Sequence, residues 1–225
     1  MSPLRTVSLL LPLLLLVLAG LTAAQQQFSG RCPRLPSVRR FQVERYLGHW
    51  FEYSRYCTVF QRGLRCSRAQ YSDGGSGRIG VTNRAVSVST GRRVTARGQA
   101  VLVGTPGQAS LRVSFDRMPD RGTRANYNVV ETDYSRYAIV WSCRNLKTSG
   151  AKLRRPMNAQ FLFVLTRARV PGRKLVRHIM RRLRKLGLNT EKLRKTDQRC
   201  PNVKKPWLKK SKKEAVPKLC SFKHG

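Results

Sequence analysis

The chain has 225 residues and a formal net charge of +36, because 46 lysine and arginine residues outnumber only 10 aspartate and glutamate residues. The few acidic residues form no paired-carboxylate pattern, and the three histidines have no evident cysteine or serine nucleophile partner, so we do not expect an enzyme. The six cysteines show neither the CxxC nor the Cys/His spacing of a zinc site, so we expect no metal site.

Residues 1–24 have the pattern of a secretory signal peptide. Arg5 precedes an apolar run over residues 7–21, and the small residues at 22–24 offer a cleavage site. The run is short and is interrupted by Pro12, and no second apolar stretch of that length follows, so we predict no transmembrane segment. The sequence therefore predicts a secreted, extracellular protein, with one domain over residues 25–201 and a basic tail over residues 202–225.

A Gly-x-Trp sequence, Gly48 to Trp50, follows a proline-rich arm and a short helical turn at residues 41–47. It opens a run over residues 50–56 in which side chains alternate between two faces, and a period of two predicts a β-strand with one buried face. Gly48 allows a tight turn into this strand, and a tryptophan at the strand's entry can fill the end of a barrel.

Seven further runs of strand-like sequence follow, separated by turn sequences such as Asp73-Gly74-Gly75-Ser76-Gly77. They cover residues 64–72, 78–88, 93–103, 109–115, 125–132, 137–143 and 159–167. Eight strands, joined mostly by hairpins, predict an all-β fold, an up-and-down antiparallel barrel. A barrel of this size has room for one small ligand.

A helix is predicted to begin at Pro171-Gly172 and to end at Gly187, with a short ninth strand over residues 192–201 after it. Alone, such a basic amphipathic helix is typical of membrane surfaces. In a barrel protein we favour a second interpretation, in which the apolar stripe packs on the barrel wall and the cations are solvated. The stripe consists of Leu175, Val176, Ile179, Leu183 and Leu186.

The positive charge is uneven along the chain. Residues 25–146 hold 20 basic and 7 acidic side chains, whereas residues 147–225 hold 25 basic and 3 acidic ones. Such a field attracts polyanions such as heparan-type polysaccharides, anionic membrane or microbial surfaces, or nucleic acid, although no specific nucleic-acid site is evident. Compositional drift is the alternative explanation, since every lysine lies at or after Lys147. The candidate polyanion-binding residues are Arg177, Arg181, Arg184, Lys205, Lys209, Lys210, Lys212 and Lys213.

Several ordered segments, taken together, resemble the apolipoprotein D-like branch of the lipocalin family over residues 32–201. They include Tyr46-Leu47-Gly48-His49-Trp50, Cys66-Ser67-Arg68-Ala69-Gln70-Tyr71-Ser72, Thr132-Asp133-Tyr134, Arg167 and Thr196-Asp197-Gln198-Arg199-Cys200-Pro201. The resemblance implies a non-catalytic, extracellular carrier of a small hydrophobic ligand, such as a fatty acid, steroid, retinoid or bilin. No cofactor is expected beyond that lipophilic ligand.

The resemblance also implies roles for particular residues. Arg167 would lie across Trp50 in a cation–π contact, and the barrel would be closed at this end by Gly48, Trp50, Thr132, Asp133, Tyr134 and Arg167. Tyr71 and Asn83 match pocket positions of the family, and Phe163 stands where the family often has a tryptophan. Strand parity adds Ala69, Val81, Phe161 and Leu165. For all seven residues, ordinary barrel core is the alternative.

All six cysteines follow the signal peptide, and an even count in a secreted chain indicates three disulfides, with fifteen possible connectivities. The resemblance implies the pairs Cys32–Cys143 and Cys66–Cys200, each closing a loop for which chain-entropy models give ~4–5 kcal/mol. Cys57 and Cys220 have no counterpart in that pattern, and we predict that they pair with each other. Four arginines interrupt the strands and are expected to face outward: Arg68, Arg84, Arg97 and Arg112.

Overall fold

The structure is a computed structural model that describes residues 25–146 and 156–200. Its strands are β1 (Gln27–Ser29), β2 (Gly48–Arg55), β3 (Leu64–Asp73), β4 (Arg78–Ser87), β5 (Arg93–Leu102), β6 (Ser110–Phe115), β7 (Tyr127–Thr132), β8 (Tyr137–Asn145), β9 (Met157–Thr166) and β10 (Arg194–Lys195). Its helices are α1 (Val43–Tyr46), α2 (Arg173–Lys185) and a 3₁₀ turn at Val59–Gln61. The predicted signal peptide and the tail lie outside the described residues.

The eight strands from β2 to β9 form a closed antiparallel barrel. Each strand pairs with the next along the chain, and β9 also pairs with β2, which joins the two ends of the sheet. The predicted eight-stranded barrel with an outer helix is therefore confirmed. Two short strands extend it, because β1 pairs with β9 and β10 pairs with β2.

The predicted ninth strand is much shorter than expected, since only Arg194 and Lys195 pair in the ladder. Beyond them, two backbone hydrogen bonds continue the contact: the Thr196 N–H donates to the carbonyl of Tyr53 at 3.0 Å, and the Cys66 N–H donates to the carbonyl of Asp197 at 2.8 Å. The Gln198 amide donates to the carbonyl oxygens of Glu52 and Ser67, at 2.9 and 2.8 Å. The segment after β10 is thus held against β2 and β3 by main-chain and side-chain hydrogen bonds.

Helix α2 packs its apolar stripe on the outside of the barrel. Ile179 and Leu183 are fully buried there, in a cluster with outward-facing residues of β7 to β9 that include Ile139 and Leu162. The interpretation of the helix as a barrel-packing element is confirmed. Arg177, Arg181 and Arg184 lie on its exposed face, and their role in polyanion binding stays a prediction, as does that of the tail lysines, which lie outside the described residues.

Both disulfides that the resemblance implied are present. Cys32–Cys143 ties the N-terminal arm to β8, and Cys66–Cys200 ties the segment after β10 to β3. Cys57 is also disulfide-bonded. Its predicted partner, Cys220, lies outside the described residues, so that pairing stays a prediction.

Candidate functional site

One end of the barrel is closed by a tryptophan under an arginine. Trp50, at the start of β2, is fully buried, and the guanidinium carbon of Arg167 lies 3.7 Å from the centroid of its ring. The indole Nε1 donates to the carbonyl oxygen of Tyr46 at 2.8 Å. Gly48 has a φ of 93°, and a Cβ there would lie 3.3 Å from Nη1 of Arg167. A glycine is therefore needed for both the turn and the close approach of the guanidinium.

The Arg167 guanidinium also donates to main-chain carbonyls of three segments at this end. Its Nε donates to Tyr134 at 3.0 Å, Nη1 donates to His49 at 2.9 Å, and Nη2 donates to Arg45 at 2.9 Å. These carbonyls belong to the β7–β8 turn, to β2 and to α1. One side chain thus joins three segments of the chain, and burial lowers its pKa.

The Thr132-Asp133-Tyr134 sequence shapes the β7–β8 turn on which Arg167 rests. The Asp133 carboxylate accepts the N–H groups of Arg136 and Tyr137, at 2.8 and 3.1 Å. Thr132 donates from its hydroxyl to the carbonyl of Tyr137 at 2.7 Å. The turn presents the Tyr134 carbonyl to Arg167, so the residues of the predicted closing motif come together at one end of the barrel.

Above this closed end lies a cavity of about 400 Å³. Its wall includes aliphatic and aromatic side chains from β3 to β6 and from β9, among them Ala85, Val113 and Phe115. The structure places all seven predicted pocket residues on this wall: Ala69, Tyr71, Val81, Asn83, Phe161, Phe163 and Leu165. Their contact with a ligand stays a prediction.

The other end of the cavity is formed by the connection between β2 and β3 and by the neighbouring strand ends. Phe60 is 48% exposed, and its ring stacks on that of Phe161 with centroids 6.2 Å apart. Leu64 also lines the cavity here. These side chains form an apolar lip at this end of the cavity.

Three tyrosine hydroxyls form a hydrogen-bonded chain at the floor of the cavity. The hydroxyl of Tyr127 lies 2.8 Å from that of Tyr46 and 2.7 Å from that of Tyr71. Tyr71 and Tyr127 line the cavity, whereas Tyr46 lies beneath them against Trp50. Three hydroxyls carry three protons but share only two hydrogen bonds, so one O–H remains to donate elsewhere.

Burial raises the pKa of each tyrosine in this chain, to about 12 for Tyr71 and well above 10 for Tyr46 and Tyr127. Neither Tyr46 nor Tyr127 was predicted from the sequence as part of the site. Tyr127 shares strand parity with the buried Val129, and this was the one available signal for its inward orientation.

We expect the protein to lose stability as the pH rises above about 10. The unfolded chain releases phenolic protons near pH 10, while folded Tyr71 keeps its proton until about pH 12. The contribution is fully present below pH 10 and is lost as the pH approaches 12, with a size of about 2–3 kcal/mol for this side chain. Urea unfolding between about pH 9 and pH 12 measures it. The Y71F variant should show a shallower decline, and equal slopes would contradict the assignment to Tyr71.

A second polar cluster, also missed by the sequence analysis, lies in the barrel wall. Glu52 and Arg55 are only 4% and 7% exposed, and Arg55 Nη1 donates to Glu52 Oε1 at 2.7 Å. Gln61 donates to the other carboxylate oxygen at 2.6 Å, and the hydroxyl of Thr196 also donates to Glu52. Glu52 lies on the same strand face as Trp50, and this face is buried. A carboxylate at such a position needs a positively charged partner, and this was the signal in the sequence for the cluster. In this cluster the buried charges of Glu52 and Arg55 neutralise each other within the barrel wall.

The arginines that interrupt the strands direct their guanidinium groups outward. Arg84 donates to the side chain of Gln70 at 2.8 Å, and Arg112 donates to the carbonyl of Gly122 at 2.7 Å. Arg68 and Arg84 border the cavity, yet they alternate along their strands with Ala69 and with other residues that face inward. Strand parity therefore places their charges on the outer surface.

Residues 25–146 and 156–200 contain no group of three or more histidine, cysteine or acidic side chains that could hold a metal ion. No helix in this part of the chain is long and apolar enough to cross a membrane.

A closed antiparallel barrel with an outer helix and a lined interior cavity defines a small-ligand binding protein. The chain belongs to the lipocalin family, since the family model described as a lipocalin-like domain matches residues 41–198. Lipocalins are in general binding and transport proteins rather than enzymes.

Among the relatives of this chain are apolipoprotein D proteins of mammals. The one from Cavia porcellus is 32% identical over 195 residues, which cover 84% of this chain and 96% of that protein. The one from Mus musculus is 32% identical over 193 residues, which cover 84% of this chain and 95% of that protein. These matches support the resemblance to the apolipoprotein D-like branch.

The same fold is found in a solved structure of insecticyanin from the tobacco hornworm Manduca sexta. The two structures superimpose with a TM-score of 0.61 at 21% identity, and the match covers 77% of this chain and 89% of that one. At this identity the likeness concerns the fold alone.

Proposed function

We propose that this protein is a secreted carrier that holds one small hydrophobic molecule inside the barrel. The cavity of about 400 Å³ carries this proposal, because its volume lies in the range of ligand sites and its wall is mostly aliphatic and aromatic. The closed end at Trp50 and Arg167 gives the ligand a floor. The signal-like leader and the disulfides Cys32–Cys143 and Cys66–Cys200 support export to an oxidising compartment.

The polar groups of the cavity favour a ligand whose deeper end is neutral. At the floor, the tyrosine chain offers a single O–H donor, suited to a carbonyl or hydroxyl oxygen. The Arg55 guanidinium is engaged by Glu52, and the outward arginines direct their charges away from the interior. A buried carboxylate would therefore lack a cation at the floor. Among the classes considered, a steroid or retinoid fits the deep end better than a fatty acid inserted with its carboxyl group first.

A filling substitution inside the barrel tests whether the cavity holds the ligand. Ala96 lines the cavity on β5, and its neighbour Thr95 lies on the outer face of the same strand. We expect A96F to weaken binding of a ligand that quenches intrinsic fluorescence by at least about tenfold, equivalent to ~1.4 kcal/mol. The matched variant T95F adds the same ring outside and should leave the affinity unchanged.

The titration should be run with a steroid, retinol, a fatty acid and a bilin, and native mass spectrometry should confirm the stoichiometry of one. If the ligand affinity of A96F is unchanged, the ligand does not bind inside the barrel. If none of the four molecules binds the unmodified protein, the carrier proposal is wrong for these ligand classes.

A further inference from the structure

The outer surface of the barrel carries a cluster of arginines on β3 to β5. Arg68 on β3 lies directly opposite Arg84 on β4, and Arg84 lies opposite Thr95 on β5. Arg93 and Arg97 stand two positions to either side of Thr95, and so they lie on the same face as diagonal neighbours of Arg84. Four arginines thus converge on three adjacent strands.

A fifth arginine joins the cluster from the segment after β9. The guanidinium carbon of Arg169 lies 5.0 Å from the centroid of the Phe51 ring, and Phe51 lies directly opposite Arg68 on β2. We call these five residues the sheet arginine patch: Arg68, Arg84, Arg93, Arg97 and Arg169. Arg68, Arg93, Arg97 and Arg169 are exposed, and Arg84 is partly exposed.

No carboxylate in the described part of the chain neutralises the patch. The four ion pairs of residues 25–146 and 156–200 use other arginines, at positions 55, 136, 182 and 199. Gln70, Thr82, Val86 and Thr95, which face outward beside the patch, are uncharged. Asp116 follows β6 next to Arg97, since its N–H donates to the Arg97 carbonyl oxygen at 3.0 Å, but the two side chains form no ion pair. Partial burial, followed by repulsion from Arg84, Arg169 and Arg93, lowers the pKa of Arg68. Like charges placed directly opposite each other destabilise a sheet. The facing of Arg68 and Arg84 is therefore unfavourable for the fold, although Arg84 also donates to Gln70.

We propose that the sheet arginine patch binds a linear sulfated polysaccharide. Guanidinium groups form paired hydrogen bonds with sulfate oxygens and are less strongly hydrated than ammonium groups, and adjacent strands set them about 5 Å apart on an open surface. An extended chain with repeated sulfates can engage several of them at once, and this would relieve their mutual repulsion.

The composition of the patch favours a sulfated glycan over the other polyanions. Single-stranded nucleic acid is bound on exposed aromatic rings, but the ring in this patch, Phe51, is covered by Arg169. Insertion into a membrane surface needs an apolar face beside the cations. Gln70, Thr82 and Thr95 are polar, and Val86, opposite Arg93, is partly buried. A cationic and largely polar face matches a hydrophilic polyanion.

The patch is separate from the basic face of α2, which supplies a matched control. Helix α2 packs on the outer side of β7 to β9, away from β3 to β5. Its exposed face also carries four arginines, Arg173, Arg177, Arg181 and Arg184. We call the replacement of these four arginines with glutamine the α2 variant, and R68Q/R84Q/R93Q/R97Q the sheet variant. Both remove the same amount of positive charge. The tail stays the same in both quadruple variants.

The test compares heparin affinity of the full chain and the two quadruple variants over a series of NaCl concentrations. We expect the sheet variant to lose about tenfold or more in affinity at physiological salt, with the slope of log affinity against log salt reduced by roughly three to four. The α2 variant should lose less than about threefold. The melting temperature of the sheet variant should be unchanged or higher, because the substitution removes repulsion between neighbouring arginines.

Equal losses of heparin affinity in the two variants would show that binding depends only on net charge, and this would overturn the proposal. A greater loss of affinity in the α2 variant would also overturn it. A lower melting temperature in the sheet variant would assign the patch a structural role and contradict the proposal. Single-stranded DNA and vesicles containing phosphatidylserine should be measured in parallel. If the sheet variant loses more affinity for DNA or for the vesicles than for heparin, the patch binds a different partner and the proposal is wrong.

Discussion

Replacement of Trp50 by alanine is expected to lower the free energy of unfolding by about 3–5 kcal/mol. The indole is fully buried between the Arg167 guanidinium and the ring of Tyr46, whose centroid lies 5.2 Å away. Its loss leaves a void under Arg167 and removes the cation–π contact, and the Tyr46 carbonyl loses the Nε1 donor. Urea unfolding at neutral pH, followed by far-UV circular dichroism, measures the change.

Two variants sharpen this measurement. W50F keeps an aromatic ring under Arg167 but removes the N–H donor, so it should cost less than the alanine variant. F60A removes a half-exposed ring at the opposite end of the barrel, and we expect it to cost under about 1 kcal/mol. A loss in W50A no larger than in F60A would show that the indole does not hold this end of the barrel together.

Removal of the Glu52 carboxylate is expected to destabilise the barrel by about 3–5 kcal/mol, because it leaves Arg55 as an uncompensated buried charge. The E52Q substitution also replaces an acceptor for Gln61 and Thr196 with an amide that cannot accept from all of these groups. Urea unfolding of E52Q measures the loss.

A second variant distinguishes the effect of an unpaired buried charge from the effect of changed packing. In the variant E52L/R55L both charges are absent, and well-packed apolar residues often replace a buried ion pair without net cost. We therefore expect the double variant to be clearly more stable than E52Q. If the two losses are equal, the effect comes from packing in the wall and not from the isolated Arg55 charge.

The inward face of the strands was predictable because side chains alternate with a period of two. Tyr71 and Val81, which share a wall of the cavity, are also direct partners across β3 and β4, as are Ala69 and Asn83. The contact between Trp50 and Arg167 followed from the family resemblance, since 117 residues of sequence separate them and no local pattern links them.

The missed parts of the site depend on contacts between distant segments. Thr196 donates to Glu52 across 144 residues, and Tyr127 meets Tyr46 across 81. Irregularities in pairing also shift the faces in ways that the alternation does not encode, for example between Arg65 and Arg68 in β3. A single sequence indicates which side chains turn inward, but not which of them meet.

The carbonyl bonds of Arg167 have a consequence for how the domain folds. Its bond to His49 spans 118 residues, and the Cys66–Cys200 disulfide spans 134. The chain emerges from the ribosome with its N-terminus first. Nearly all of its strands are therefore synthesised before Arg167, which joins the start of the barrel to its end, becomes available. Until then the unpaired edge of β2 is open to association with other chains. Folding dominated by such distant contacts is slow, so we expect the nascent domain to depend on chaperones until β9 is complete.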